Sequence, residues 1–481
     1  MIRAFFRDSA LYGIATILSK GLAVLMVPIY TAYLSQTQMG ALELILGATS
    51  ILSLVIGLDI SNALAREYGE SKEPEVRRRY SSTSLWFSVI VYGIALIAIL
   101  ALAKPLAEIS LGSVAHASAI RAAAFSMFVG GIYIVVVQQL RWMMRPGKFG
   151  LTNVSFTLIS LSVTVLLVGY LHLGEAGVLY GTCSGSLAGI ALALLFSKGE
   201  FSWTFDWGCL KKMLLFCIPI VPSGLSIVIS QYISRFLIEW ELGRGPVGVY
   251  AIAVRLAGLA GLAMVGFGSA LTPLIYSAQN DPQTPLNLAR IFRLFVYLAS
   301  FALAGMTLFS GELIKLLTRS DYSLAGPLLP FLAPAFLLMQ MYIFAPGAWI
   351  SRKMWWVAAV NILTVLTSII LGLLFVPFWG LKGAAIATLV SSSINFILSM
   401  AVSQRLYNVP HNWLQLLAVT GAAIMVMVGA AYFPVEVSFN LFITKVAILV
   451  AFGLCILAGA HAEREWVLAK LKFLRNKAKC E

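Results

Sequence analysis

Three basic residues, Lys20, Arg235 and Arg255, sit well inside long apolar runs of this 481-residue chain. A cation at bilayer depth costs at least ~2.5–3.5 kcal/mol on insertion scales, so it normally faces a bundle interior or an aqueous cavity. Diffuse positive charge in a low-dielectric cavity suits a phosphate or an acidic sugar, and arginine holds such oxygens in a two-pronged fork. Lys20 is the deepest of the three and the furthest from any sequence-local carboxylate. Two local alternatives stand beside this reading for Arg235: a pair with Glu239 one turn later, or snorkelling to the interface. Arg255 has no acid within a turn. Gln231, one turn before Arg235, offers hydrogen bonds either to sugar hydroxyls or to neighbouring helices.

Asp59 is read as the deep carboxylate of the first half. Desolvation raises the pKa of a buried acid, which suits it to a coupling proton or sodium ion. The alternative is a salt bridge to Lys20 or Arg66. Pro28, Pro219, Pro222 and Pro273 fall inside three of the apolar runs. Proline removes a backbone hydrogen bond and bends the axis, so these four are candidate gate bends.

Catalytic patterns fail. His116, His172, His411 and His461 are scattered, with no HExxH, and there is no Walker A sequence. Gly181-Thr182-Cys183-Ser184-Gly185 imitates a nucleophile elbow but lies in an apolar run with no histidine near. The five cysteines form no CxxC. The reading is therefore no catalytic residue, no metal site and no cofactor beyond a coupling ion, H+ or Na+.

The elements that must position these residues follow from composition. The chain is 60% hydrophobic and 11% charged, and its apolar runs repeat from end to end. This is the pattern of an all-α polytopic membrane protein, with about 14 spans of bilayer-crossing length. The first runs from Ser9 to Leu34, the second from Gly40 to Ala65, the seventh from Met213 to Glu239 and the eighth from Val247 to Ser277. The net charge of +14 does not indicate nucleic acid, because the basic residues lie in short clusters between apolar runs. Those clusters, Arg77-Arg78-Arg79, Arg141/Arg145/Lys148 and a tail from Arg464 to Lys479, fall in alternate loops. The positive-inside rule then expects both termini in the cytoplasm. The tail suits either an amphipathic helix on anionic lipid or a solvated segment.

An internal repeat divides the spans. GEAGVLYGT (Gly174–Thr182) aligns without gaps with GLKGAAIAT (Gly380–Thr388), matching Gly174 to Gly380 and Gly177 to Gly383. Gly40 pairs with Gly248 in a weaker match at nearly the same offset. Gly177, Gly181, Gly185 and Gly189 form a small-residue ridge, which is a helix-packing signal. Each half holds six helices, so the repeat is parallel, and such lobes suit a transporter that rocks about a central site. The expected organisation is a first lobe over 1–200, a second over 201–406, an added helix pair over 407–461 and a basic tail over 462–481.

The opening residues Pro28-Ile29-Tyr30-Thr31, Leu34-Ser35 and Gly40, followed by Gly57, Leu58, Arg66 and Tyr68, resemble the bacterial polysaccharide (oligosaccharide) flippases of the multidrug/oligosaccharidyl-lipid/polysaccharide exporter superfamily. The resemblance reaches to about Ala460 and implies a MATE-like fold with two extra C-terminal helices. It implies a non-enzymatic transporter in the bacterial inner membrane, moving a polyprenyl-pyrophosphate-linked oligosaccharide between leaflets for O-antigen, capsule or exopolysaccharide. Membrane lipids, a polysaccharide polymerase and assembly proteins are the implied partners. Relatives export drugs by ion antiport or flip a peptidoglycan lipid precursor, and both stay open as alternatives. A membrane glycosyltransferase or polymerase fits less well, because every outer loop is short.

Overall fold

The computed structural model describes residues 18, 21, 25–277, 283–351, 353–430 and 439–459. Lys20 and the basic tail lie outside the described residues. The described elements are helical throughout, without a strand. Eleven of them are long and apolar enough to cross a membrane, as runs of this hydropathy require when no water can satisfy the backbone.

In chain order the first elements are α1 (Met26–Tyr33), α2 (Gln36–Gly57), α3 (Ile60–Glu70), α4 (Pro74–Ala101), α5 (Ala103–Leu111), α6 (Ala117–Trp142), α7 (Pro146–Thr164) and α8 (Gly174–Phe196). Then come α9 (Trp207–Cys217), α10 (Val221–Leu242), α11 (Arg244–Ser277), α12 (Thr284–Leu308), α13 (Ser310–Leu317) and, after a 3-10 stretch, α14 (Leu329–Gln340). The short α15 (Gly347–Ile350), then α16 (Met354–Leu406), α17 (Trp413–Ala430) and α18 (Phe439–Gly459) are the last of the described helices. One end of the bundle carries the basic turns at Arg77–Arg79 and Arg141–Lys148. We call it the basic end, and the other the opposite end.

Two expected spans are interrupted. The run from Gly40 to Ala65 breaks where Leu58 and Asp59 both take positive φ, 48° and 50°, so α3 leaves the line of α2. The run from Met213 to Glu239 breaks at 218–220, between α9 and α10. Proline explains the second break: Pro219 sits in the gap, and Pro222 occupies the first turn of α10, where its missing N–H costs nothing. Pro28 likewise sits in the first turn of α1, after a turn at Leu25. Pro273 lies near the end of an unbroken α11.

The repeat-matched glycines share a positive φ. Gly174 has φ 53° and Gly380 has φ 55°, a region that costs other residues dearly. Gly380 splits α16 into two helices. The ridge of α8 lies against α7, where a Cβ at Gly181 would stand 2.0 Å from Thr164 Oγ1 and one at Gly185 2.6 Å from the Phe156 carbonyl. The counterpart Gly383 packs on its own hairpin partner, with a Cβ falling 2.0 Å from the Phe375 carbonyl. Helix α9 packs against the first half, as Leu210, Met213 and Cys217 join Ile60, Leu64 and Tyr68 in one apolar cluster.

Overpacking of this kind costs about 1–3 kcal/mol. Gly383→Ala is therefore expected to lower the melting temperature of the purified protein. Gly421→Ala, where a Cβ meets nothing within 4 Å, is expected to leave it level or slightly raised. Equal melting of both would show that the Gly383 contact has slack.

Candidate functional site

Glu43 lies about two turns, ~10 Å, inside the opposite end of α2 at 1.5 Å per residue. It is 4% exposed. An acid at this depth needs cationic partners, and the second half supplies two. Arg235 on α10 donates from Nε to Glu43 Oε2 at 2.8 Å. Arg255 on α11 donates from Nη2 to Glu43 Oε1 at 2.5 Å. Each carboxylate oxygen thus holds one guanidinium. Aromatic faces complete the setting, with Arg235 4.8 Å from the centre of the Tyr232 ring and Arg255 4.7 Å from that of Tyr30.

The sequence reading named the two arginines and missed the acid between them. Glu43 falls inside the expected second span, so Asp59 is not the deep carboxylate of the first half. The missed signal was legible in principle: a second carboxylate in the same apolar run as Asp59, and a deep cation, Arg255, without an acid within a turn. The local pair that stood as one alternative for Arg235 does not form; Glu239 instead accepts from Arg244 Nε at 3.0 Å. Gln231 contributes its backbone carbonyl to Arg235 Nη1, while its side chain is exposed.

Asp59 sits at the break between α2 and α3, at the basic end. It accepts from Asn62 Nδ2 at 2.5 Å, and its carbonyl accepts from Cys217 Sγ at 3.5 Å. Arg66 pairs with Glu70 at 3.0 Å and not with Asp59. Burial raises the Asp59 carboxyl above its ordinary range, and the Asn62 hydrogen bond opposes that rise.

The Glu43 cluster lies beneath a seal between the two halves. Gly40 and Gly248, matched by the repeat, meet across the seam: a Cβ on Gly40 would stand 2.1 Å from the Arg244 carbonyl, and one on Gly248 2.1 Å from the Gln36 carbonyl. Only glycine permits so close a crossing. Toward the opposite end, Tyr322 Oη donates to the Leu34 carbonyl at 3.1 Å and Arg319 Nη1 to the Ala32 carbonyl at 3.1 Å. Gln36 Nε2 donates to the Asp321 carbonyl at 2.5 Å. His116 spans the gap as well, with Nδ1 2.7 Å from Glu175 and Nε2 3.4 Å from Arg244 Nη1.

Chemically, the cluster is two cations on one anion, which leaves a net positive charge at the seam between the halves. Arg255 Nε is a buried donor with no hydrogen-bond partner among the described residues. The arrangement is suited to exchanging an internal carboxylate for an external anion. No group of three or more His, Cys, Asp or Glu that could hold a metal occurs among the described residues.

Known proteins bear on this geometry. A family described as "Polysaccharide biosynthesis protein" matches residues 5–279, more than half of the chain. A probable low-salt glycan biosynthesis flippase, Agl15 of Haloferax volcanii, is 20% identical over 399 residues, covering 82% of each chain. Among solved structures, the lipid II flippase MurJ in an inward closed conformation superposes with a TM-score of 0.73 at 15% identity, covering 95% of this chain and 99% of that one. An inward-facing multidrug resistance MATE family transporter of the MOP superfamily gives 0.61 at 18% identity, covering 84% and 94%.

Removing one partner of a buried ion pair costs about 3–5 kcal/mol, because the other charge is stranded. Glu43→Gln strands two. We expect it to raise hydrogen–deuterium exchange of backbone amides in 36–46 and 244–256 in nanodiscs, with little change in 174–196. Unchanged exchange in all three segments would mean that the glycine crossing alone holds the seal.

Proposed function

The chain belongs to the polysaccharide biosynthesis protein family, and on that premise we propose that it flips a polyprenyl-pyrophosphate-linked oligosaccharide from the inner to the outer leaflet. The observation that carries this reading is the Arg235–Glu43–Arg255 cluster, with Glu43 and Arg235 buried and Arg255 a quarter exposed, which joins the two halves under their seal. On this reading the basic end faces the cytoplasm, by the positive-inside rule, and the sealed end faces outward across the bacterial inner membrane.

The seal is then the closed outer gate, and the substrate enters from the cytoplasmic side. Its pyrophosphate competes with Glu43 for Arg235 and Arg255. Guanidinium binds phosphate oxygens in a fork at least as well as it binds carboxylate. Every contact the phosphate gains on the second half is one that Glu43 loses from the first. Binding therefore weakens the seal, as a ligand must if it is to shift the balance between two states. Release outside returns the arginines to Glu43 and recloses the gate. Lys20 belongs to the same cavity in this reading, and Gln231 lies one turn before Arg235. Pro28, Pro219, Pro222 and Pro273 mark the helix ends and breaks about which the halves turn.

Ion coupling is part of the proposal, with Asp59 as the residue that takes a proton. Its raised pKa brings its titration closer to neutrality.

Two outcomes test this reading. Arg235→Ala and Arg255→Ala are each expected to abolish surface polysaccharide and accumulate lipid-linked glycan inside the cell at normal protein levels. Wild-type polymer from both, with conferred drug resistance, would favour a drug exporter. Asp59→Asn is expected to flatten the pH dependence of flipping in proteoliposomes, which would otherwise change as pH crosses the residue's raised pKa. An unaltered profile would reduce Asp59 to the residue that terminates α2.

A further inference from the structure

The seal carries a second polar contact between the halves, and a histidine stands in it. His116 ends a 3-10 turn, Val114–His116, between α5 and α6. Its Nδ1 is 2.7 Å from Glu175 on α8, and its Nε2 is 3.4 Å from Arg244 Nη1 at the start of α11. These two partners fix the form of the ring. A carboxylate only accepts and a guanidinium only donates, so Nδ1 must carry the hydrogen and Nε2 must be bare. The sealed geometry is that of the neutral imidazole.

The two contacts differ in what they join. His116 and Glu175 both belong to the first half, so their pair does not depend on whether the seam is closed. Arg244 belongs to the second half, and closing the seam is what brings it to the ring. A proton on Nε2 removes the acceptor and sets an imidazolium against a guanidinium. It therefore acts against the sealed form alone. A ligand that suits one state worse shifts the balance toward the other, and a proton is such a ligand here.

Arg244 is also placed to let go. Its carbonyl lies over Gly40 in the glycine crossing, and its Nη2 would be 3.6 Å from a Cβ on Gly112, at the end of α5. Its Nε, however, is held within the second half by Glu239 Oε1 at 3.0 Å. The other oxygen, Glu239 Oε2, is buried with no hydrogen-bond partner among the described residues. A guanidinium freed from the imidazole can take both carboxylate oxygens in a fork. The bond lost across the seam is thus replaced inside the second half, and no charge is stranded.

The remaining charged and titratable groups on the neighbouring elements are Lys104 and Glu108 on α5, Arg121 on α6, His172 before α8 and Glu241 on α10. All are exposed, and none is in an ion pair with His116 among the described residues. The side chains of His116 and Arg244 are each about a quarter exposed, so water delivers a proton to the pair without prior opening.

We propose that His116 is a proton switch on the seal: protonated, it releases Arg244 and loosens the join between the halves. The switch is separate from Asp59, which lies at the basic end. On the flippase reading the sealed end faces outward, so the proton comes from outside. That direction rests on the flippase reading, and the switch does not.

The test is hydrogen–deuterium exchange of the full-length protein in nanodiscs between about pH 5 and pH 8, the range in which histidine changes charge. Labelling times are scaled for the intrinsic pH dependence of amide exchange. Exchange in 244–252 is expected to rise about fivefold toward acid, the scale of one lost hydrogen bond to a charged group, with 174–196 level. His116→Gln, which cannot take a proton, is expected to abolish the dependence. So is Arg244→Gln, whose amide can turn to donate to the neutral ring or accept from the charged one. Glu175→Gln is expected to keep the direction and move the response to lower pH, because an acid that favours the charged ring is gone. Asp59→Asn is expected to keep the response, which separates the switch from the proposed coupling site. The readout needs no substrate, so a failure of the flippase reading does not carry over to it. A flat wild-type profile, slower exchange in acid, a dependence that survives His116→Gln, or its loss in Asp59→Asn would each overturn the switch.

Discussion

A single carboxylate pairs with both cations at the seam between the halves. Glu43 comes from the first half, and the two guanidinium groups on its oxygens come from the second. Removing water from three charges is expensive, and the arrangement is stable only while all three remain together. That makes the contact a poor glue and a good switch. On the proposed reading it stabilises the sealed conformation, and an anion that offers the arginines an equal partner relieves it. On the same reading, the net positive charge left over biases the exchange toward phosphate.

The glycine crossing sets the geometry in which this can happen. Gly40 and Gly248 let α2 and α11 approach until a side chain on either would strike backbone. At that spacing Arg255, two turns along α11 from Gly248, comes level with Glu43, one turn along α2 from Gly40. A methyl group at either glycine would hold the helices apart and stretch the ion pair. Packing of small residues and pairing of large charged ones are thus one device. The hydrogen bonds from Arg319 and Tyr322 to the carbonyls at the end of α1 close the seam above it.

Legibility divides along the same line. The break at Pro219 and Pro222 could be read from proline chemistry, and the shared turn at Gly174 and Gly380 from two aligned segments. The break at Leu58 and Asp59 could not, because nothing local demands positive φ from a leucine. Asp59 attracted attention as a carboxylate in a long apolar run. The apolar run was real, but the helix ended before it.

Hydropathy alone determined that this chain crosses a membrane many times as helices, since nothing else satisfies a backbone in hydrocarbon. Two deep arginines were equally plain, because each costs too much to be accidental. Their common partner was decided only by the tertiary structure. Glu43 lies 192 residues from Arg235 and 212 from Arg255, and a one-dimensional reading looks for counter-charges within a turn or two. Coulomb attraction acts through space, so the chain could state that the charges were needed while only the packing of α2 against α10 and α11 stated where they meet.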